Sequence, residues 1–229
     1  MTQPTPLSHY RSPRSRGRAA IIVLWIVLAF DALALLIQGY FLLATPSVWD
    51  RNQALVAISD FISAQALLSL VVAAVLVCRW FHMVYGNLPP LGQQIITMSP
   101  GRAVAGFFIP VLALWEPYQA MTEIWAVSNS PLVEEGKPIQ GTPPRIAWWW
   151  VPYIAAGILG YWAGSLKSPA DQGVASALWV GNHGLRLVSG MVLIGLIKEI
   201  SRRQDYKAGL LTQRSTDDRP YRAAGNQVS

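Results

Sequence analysis

Residues 102–128 read RAVAGFFIPVLALWEPYQAMTEIWAVS, a stretch apolar enough to enter a bilayer but interrupted by Pro110 and Pro117 and carrying Glu116 and Glu123. Whether it crosses decides how every other apolar segment is counted. As one straight span it would hold Glu116-Pro117 near the bilayer centre, where a charged side chain costs about 2.5–3.5 kcal/mol on the insertion scale. Proline would also remove a backbone hydrogen bond there. The residues fit better as an apolar piece, Ala103 to Trp115, followed by a second helix that starts at Pro117. Proline is favourable at a first helical position, and Glu116 suits the positive end of the helix dipole. In that second piece Tyr118, Met121, Ile124 and Trp125 recur at three- and four-residue steps, with Gln119, Thr122 and Glu123 elsewhere. This pattern predicts an amphipathic helix on the membrane surface.

Four longer apolar runs surround this one. Residues 19–43 would extend about 37 Å as a helix, enough for a hydrocarbon core of about 30 Å with some tilt. Residues 55–80 form a second span, entering with Asp60 and Gln65 and leaving at Arg79-Trp80-Phe81-His82. Residues 146–166 carry Trp148-Trp149-Trp150 at one end and Tyr161-Trp162 at the other, as aromatic belts do. Residues 174–197 form the last span. Between them, residues 44–54 and 167–173 read as short turns. Met83 to Gly101, with Pro89-Pro90, two glycines and Ser99-Pro100-Gly101, cannot be one helix. Residues 129–145 hold four prolines and read as a loop.

The composition agrees with this reading: 229 residues, 52% hydrophobic and only 13% charged, with a mean hydropathy of +0.33. These values place the chain in the all-α integral membrane class. Arg11, Arg14, Arg16 and Arg18 crowd the first eighteen residues, which are rich in Pro and Ser and read as a disordered basic cytoplasmic arm. A polar cytoplasmic tail is expected over 207–229, after a membrane domain of 19–206. The run 19–43 is too long for a signal peptide and contains Asp31, so it reads as a retained span. The net charge of +6 comes with no base-reading motif, so no nucleic-acid partner is expected. The basic ends could touch anionic lipid at about 1 kcal/mol per residue. Cys78 is alone and allows no intramolecular disulfide.

Cations concentrate in the amino arm, in the Arg79 to Arg102 connection and after Lys198, whereas the turns at 44–54 and 167–173 are nearly neutral. The positive-inside rule then makes both termini cytoplasmic. Two ends on one side need an even number of crossings, yet there are five apolar segments. The expected architecture is therefore a helical bundle of four transmembrane helices, with 102–128 as a re-entrant or interfacial broken helix on the cytoplasmic side.

The string RWFHMVYGNLPPLG, then MSPGRAVAGFFIPVLALWEPYQAMTEIWAVS, then a Trp-rich span and a closing helix with Lys198, Arg202 and Gln204 resembles the bacterial membrane proteins grouped as domain of unknown function 4328. The shared features are an arginine and aromatic exit from one span, Asn-Leu in the connector, a Ser-Pro-Gly turn, Ile-Pro, Pro-Tyr-Gln-Ala-Met and Glu-Ile-Trp-x-x-Ser. The likeness covers about 19–206 and is densest over 79–128. It implies a location in the bacterial plasma membrane but neither an activity nor catalytic residues.

Two constellations are candidates for function. Asp31 lies twelve residues into the first span and Arg186 twelve into the last, so both fall about 18 Å deep, where an unpaired charge is costly. An Asp31 to Arg186 ion pair is expected, with His183 one turn from Arg186 as a third member and Asp60 as a shallower extension. Such a cluster could relay protons or hold a small anion, or merely lock two helices together. Gly157, Gly160 and Gly164, facing Gly181, Gly184, Gly190 and Gly195, would let the last two spans pack as a hairpin or serve a homodimer. The second constellation is the broken helix itself, with Pro110, Trp115, Glu116, Pro117, Glu123 and Trp125 as an interface for lipid or a membrane-protein partner. His9, His82, His183 and Cys78 form no ligand set, and no HExxH, GxSxG or GxxxxGK[ST] appears. No metal, cofactor or enzymatic activity is expected. The leading expectation is a non-enzymatic membrane module that binds a partner or lipid at its cytoplasmic face. A small transporter or channel using Asp31, His183 and Arg186 is the alternative.

Overall fold

The structure, a computed structural model, describes residues 7–43, 53–93, 96–129 and 144–217. Every regular element among them is helical: α1 (Arg14–Leu43), α2 (Gln53–Gly86), α3 (Pro100–Ala105), α4 (Glu116–Asn129), α5 (Pro144–Ser165) and α6 (Gln172–Asp217). Short 3-10 turns occupy Leu7–His9, Leu112–Leu114 and Pro169–Asp171. The turn expected at 44–54 lies outside the described residues as far as 52, as do most of the 129–145 loop and the last twelve residues of the tail.

Three helical stretches are long and apolar enough to cross a membrane: Arg14–Leu43, Gln65–Gly86 and Gln172–Thr216. The expected third span, α5, has 22 residues and so about 33 Å of length, but is not among the three. Its tryptophans, tyrosines and Pro152 make it less apolar than an aliphatic helix of the same length. Such residues favour the boundary between lipid and water.

The chain divides into two compact units. A terminal unit holds the described residues of Met1–Gly17, Cys78–Thr142 and Ile197–Ser229, and an apolar unit holds those of Arg18–Val77 and Pro143–Leu196.

In the apolar unit, α5 and α6 run antiparallel and are joined by side chains of α6 that donate to backbone carbonyls of α5. Ser189 Oγ donates to Trp149 O at 2.8 Å and Asn182 Nδ2 to Ala156 O at 2.6 Å. Gly160 lets Asn182 approach, since a Cβ there would lie 2.8 Å from Asn182 Nδ2. Gly190 does the same for α1, because its Cβ would lie 2.5 Å from Leu28 Cδ2. Gly157, Gly164, Gly184 and Gly195 face open space. The outer surface of this unit exposes Ile22, Leu36, Phe61, Leu67, Tyr161 and Trp162, as lipid-facing helices do.

The terminal unit has a core of its own. Trp80, Phe81, Tyr85, Leu88, Leu91, Met121, Ile124, Ile197 and Ile200 are fully buried, and Phe81 meets Phe107 edge to face at 5.2 Å. The connector after α2 turns sharply at Pro89 to Gly92. Gly92 N donates to Pro89 O at 3.0 Å, and Gly92 adopts φ 99°, a backbone region that glycine alone enters freely. Ser99 then caps α3, accepting from Arg102 N at 3.2 Å with Pro100 as the first helical residue.

Three expectations need revision here. The basic arm, expected to be disordered through Arg18, is ordered over its described residues, with α1 already helical from Arg14. It has no apolar period, and the hydrogen bonds that order it come from elsewhere in the chain. The last helix does not give way to a tail at 207 but runs unbroken to Asp217, because Ile200, Gln204, Lys207 and Ala208 bury one stripe of it in the terminal unit. The apolar face of the helix at 116–129 is also covered by protein: Pro117, Ala120, Met121, Ile124 and Val127 are buried, so this helix does not present that face to a membrane.

The Gly190 contact can be tested. Gly190→Val should destabilise the protein by about 1–3 kcal/mol, as overpacking does, seen as a lower midpoint of thermal unfolding in detergent micelles. Adding Leu28→Ala should recover part of the loss; two independent, additive losses would contradict the contact.

Candidate functional site

The apolar unit places one carboxylate between two α6 side chains. Asp31, on α1, is 1% exposed. Its Oδ1 lies 2.9 Å from His183 Nδ1, and its Oδ2 accepts from Arg186 Nε at 3.1 Å. The structure therefore brings together Asp31, His183 and Arg186. The side chain of Asp60 lies outside the described residues. An ionised Asp31 oxygen can only accept, so the facing Nδ1 of His183 is the donor of this bond and Nε2 points away from it. Trp179 stacks on the His183 ring at 5.8 Å and 25°, which fixes the ring plane. Arg186 keeps a quarter of its side chain exposed. Its one hydrogen bond among the described residues uses Nε, leaving both terminal NH2 groups available. One turn away, the buried Oδ1 of Asn182 also has no hydrogen-bond partner there.

The terminal unit is organised by a polar network that sequence reasoning missed. Asn87 binds the backbone of Arg11 in both directions, accepting from Arg11 N at 3.2 Å and donating to Arg11 O at 2.9 Å. The same Nδ2 donates to Gln204 Oε1 at 3.0 Å. Gln204, fully buried, donates to Val84 O at 3.0 Å and to Ser128 Oγ at 3.3 Å. One turn on, Lys207 Nζ donates to Val127 O at 2.8 Å. Asp205 gathers the amino-terminal segment: Tyr10 OH donates to Oδ1 at 2.6 Å, Ser12 Oγ to Oδ2 at 3.1 Å, and Arg14 pairs with Oδ2 at 2.5 Å. Burial, and then the bond to Asp205, hold the Tyr10 hydroxyl well above its usual pKa.

The broken segment is held from both ends. Arg102 Nε and NH2 both donate to Glu116 Oε1, at 3.1 and 2.7 Å. This pins the start of α4 to α3 and returns the chain after the irregular stretch at 106–115. The other oxygen of Glu116 lies against Gly106, whose Cβ would approach it to 3.0 Å, and has no hydrogen-bond partner among the described residues. Glu123 accepts from Tyr85 OH at 2.6 Å and from Thr97 N and Oγ1 at 3.1 and 2.8 Å. Glu116 and Glu123 thus serve separate contacts. Arg203 lies over the Trp125 ring at 5.0 Å. Pro110 and Trp115 are exposed. No group of three His, Cys, Asp or Glu side chains among the described residues is arranged to hold a metal.

A signal for the missed network was present in the sequence. Ile197, Ile200, Ser201, Gln204, Lys207 and Ala208 recur at three- and four-residue steps, the spacing of a buried helical face. The polar members of the stripe concealed it.

The family described as Domain of unknown function (DUF4328) matches residues 40–202. No curated protein and no solved structure matches the chain.

Tyr10→Phe keeps the ring and removes the bond to Asp205. At neutral pH it should cost about 1–2 kcal/mol, measured by thermal unfolding in micelles. Because the folded-state pKa of Tyr10 is raised, its contribution is fully present below about pH 10, its unfolded value, and is lost as pH rises beyond. The gap between wild type and Tyr10→Phe should therefore close at alkaline pH; a gap that widens would contradict the assignment.

Proposed function

Because the chain belongs to the domain of unknown function 4328 family, a description that carries no activity, its role has to be read from its residues. We propose a multi-pass membrane protein of four spans, at 19–43, 55–80, 146–166 and 174–197, with both termini cytoplasmic. It engages lipid or a membrane partner, without catalysis, through the face built from 79–145. Two cation-rich ends and the paired connection at 79–102 support the even number of crossings. The aromatic belts of α5 support counting it as the remaining span.

The observation that carries the reading is the exposed side of the broken segment. Phe108, Ile109, Val111, Leu114 and Trp115 all project outward, with Phe108 at 69% and Val111 at 63% exposure. Arg102 shares the segment and leaves 62% of its side chain open. Five large apolar groups in eight residues, with an arginine near them, suit insertion among lipid headgroups and upper acyl chains. Lipid is therefore favoured over a protein partner. The helix at 116–129 serves as the buried base from which this stretch projects. A second reading, a small transporter, is favoured by one observation: the buried Asp31 with two titratable or charged partners in an apolar unit.

Two measurements test the main reading, both in a Cys78→Ser background. A fluorophore on Phe108→Cys in nanodiscs should be quenched by brominated lipid and shielded from iodide; the reverse would remove the lipid contact. For topology, Lys167→Cys should react with an impermeant maleimide in intact cells and Arg145→Cys only after lysis. External reaction at Arg145 would mean that 102–128 crosses.

A further inference from the structure

The Asp31 cluster has a charge balance that constrains what it can do. Asp31 and Arg186 cancel, so with His183 neutral the cluster carries no net charge. Adding a proton to His183 Nε2 gives it a charge of +1 in surroundings built from apolar helices, where an uncompensated charge is costly. Among the described side chains, the ion pairs of the cluster are those of Asp31 with His183 and with Arg186. α1 presents Asp31, α6 presents Arg186, and Trp179 stacks on one face of the ring. A proton is therefore accepted readily only if an anion arrives with it.

The anion's seat is also defined. Asp31 holds Arg186 by Nε, which fixes the plane of the guanidinium and leaves its two terminal NH2 groups as a parallel pair of donors. Such a fork matches the two oxygens of a carboxylate. We propose that Asp31, His183 and Arg186 form a coupled site that binds one small monocarboxylate together with one proton: the carboxylate on the terminal nitrogens of Arg186, the proton on Nε2 of His183. Asp31 touches neither. It orients both partners and keeps the empty site neutral. This rests on the transport reading and gives it a substrate class and a stoichiometry.

The test uses the full-length protein in detergent with lactate as the probe. Wild type should take up about one proton from a weakly buffered solution per lactate bound, and wherever that uptake is one proton its affinity should rise about tenfold for each unit by which the pH is lowered. His183→Gln should bind lactate weakly, with no proton uptake and no pH dependence. Asp31→Asn leaves the cluster at +1 without a proton, so it should bind lactate at pH 8 better than wild type does and without proton uptake. Arg186→Lys, which keeps the charge and loses the fork, should weaken lactate binding at least tenfold, and its unfolding midpoint will show whether it is folded. Lactate binding by wild type that is independent of pH between 6 and 8, or no saturable binding by folded wild type, would overturn the coupled site. Counterflow of labelled lactate in proteoliposomes is a separate readout. Coupled binding without counterflow would refute the transport reading while leaving the site in place.

Discussion

Polar groups buried by these helices must find partners inside the protein, because neither packed helices nor lipid offers water. That demand explains most of the specific contacts. In the apolar unit it joins Asp31 to His183 and Arg186, and it sends the Asn182 and Ser189 side chains to carbonyls of the neighbouring helix. In the terminal unit it ties Asn87, Gln204, Ser128 and Lys207 to backbone groups. Apolar packing supplies the bulk of the attraction, but it is tolerant of rotation and sliding. The hydrogen bonds choose one arrangement among the many that apolar packing alone would allow.

The broken segment shows the same economy of partners. Pro110 and Pro117 prevent a continuous helix, and the backbone would drift after Ala105 without a further constraint. Arg102 supplies it by closing on Glu116 across fourteen residues. The outward apolar run is thus a loop with both feet fixed. A side chain such as Phe108 is held at the surface by the geometry of its base, although its own preference is for burial.

How much of this was legible in the sequence depended on whether a residue announced its partner. The all-helical character and the break at Glu116-Pro117 follow from local chemistry, and local chemistry is written in neighbouring letters. Asp31 and Arg186 attracted notice because isolated charges in apolar runs are rare. The partners of Asn87, Gln204 and Asp205 were not announced, since amides and a carboxylate outside the apolar runs look like ordinary surface. Their roles arise from residues 76 to 195 positions away. Helix ends were misjudged for the same reason. Arg14 to Arg18 and Lys207 to Asp217 are helical where composition suggested disordered or polar ends, and part of what holds them there is contact rather than propensity. The helix at 116–129 was recognised as amphipathic, but amphipathicity does not say whether protein or lipid covers the apolar side.

The pairing of α5 with α6 has a consequence for how the chain can vary in length. Ser189 and Asn182 are seven residues apart, and so are the carbonyls they bond, Trp149 and Ala156. Seven residues is close to two helical turns, so both donors leave α6 on the same side. A single residue added or removed between 182 and 189 would turn one donor by about 100° and shift it by about 1.5 Å relative to the other. Even a change of two whole turns, which restores the direction, would displace the donor by about 10.5 Å along the axis. This short interval of α6 should therefore keep its length unless α5 changes by the same number of residues between 149 and 156, while the loop between the two helices is free to change by one.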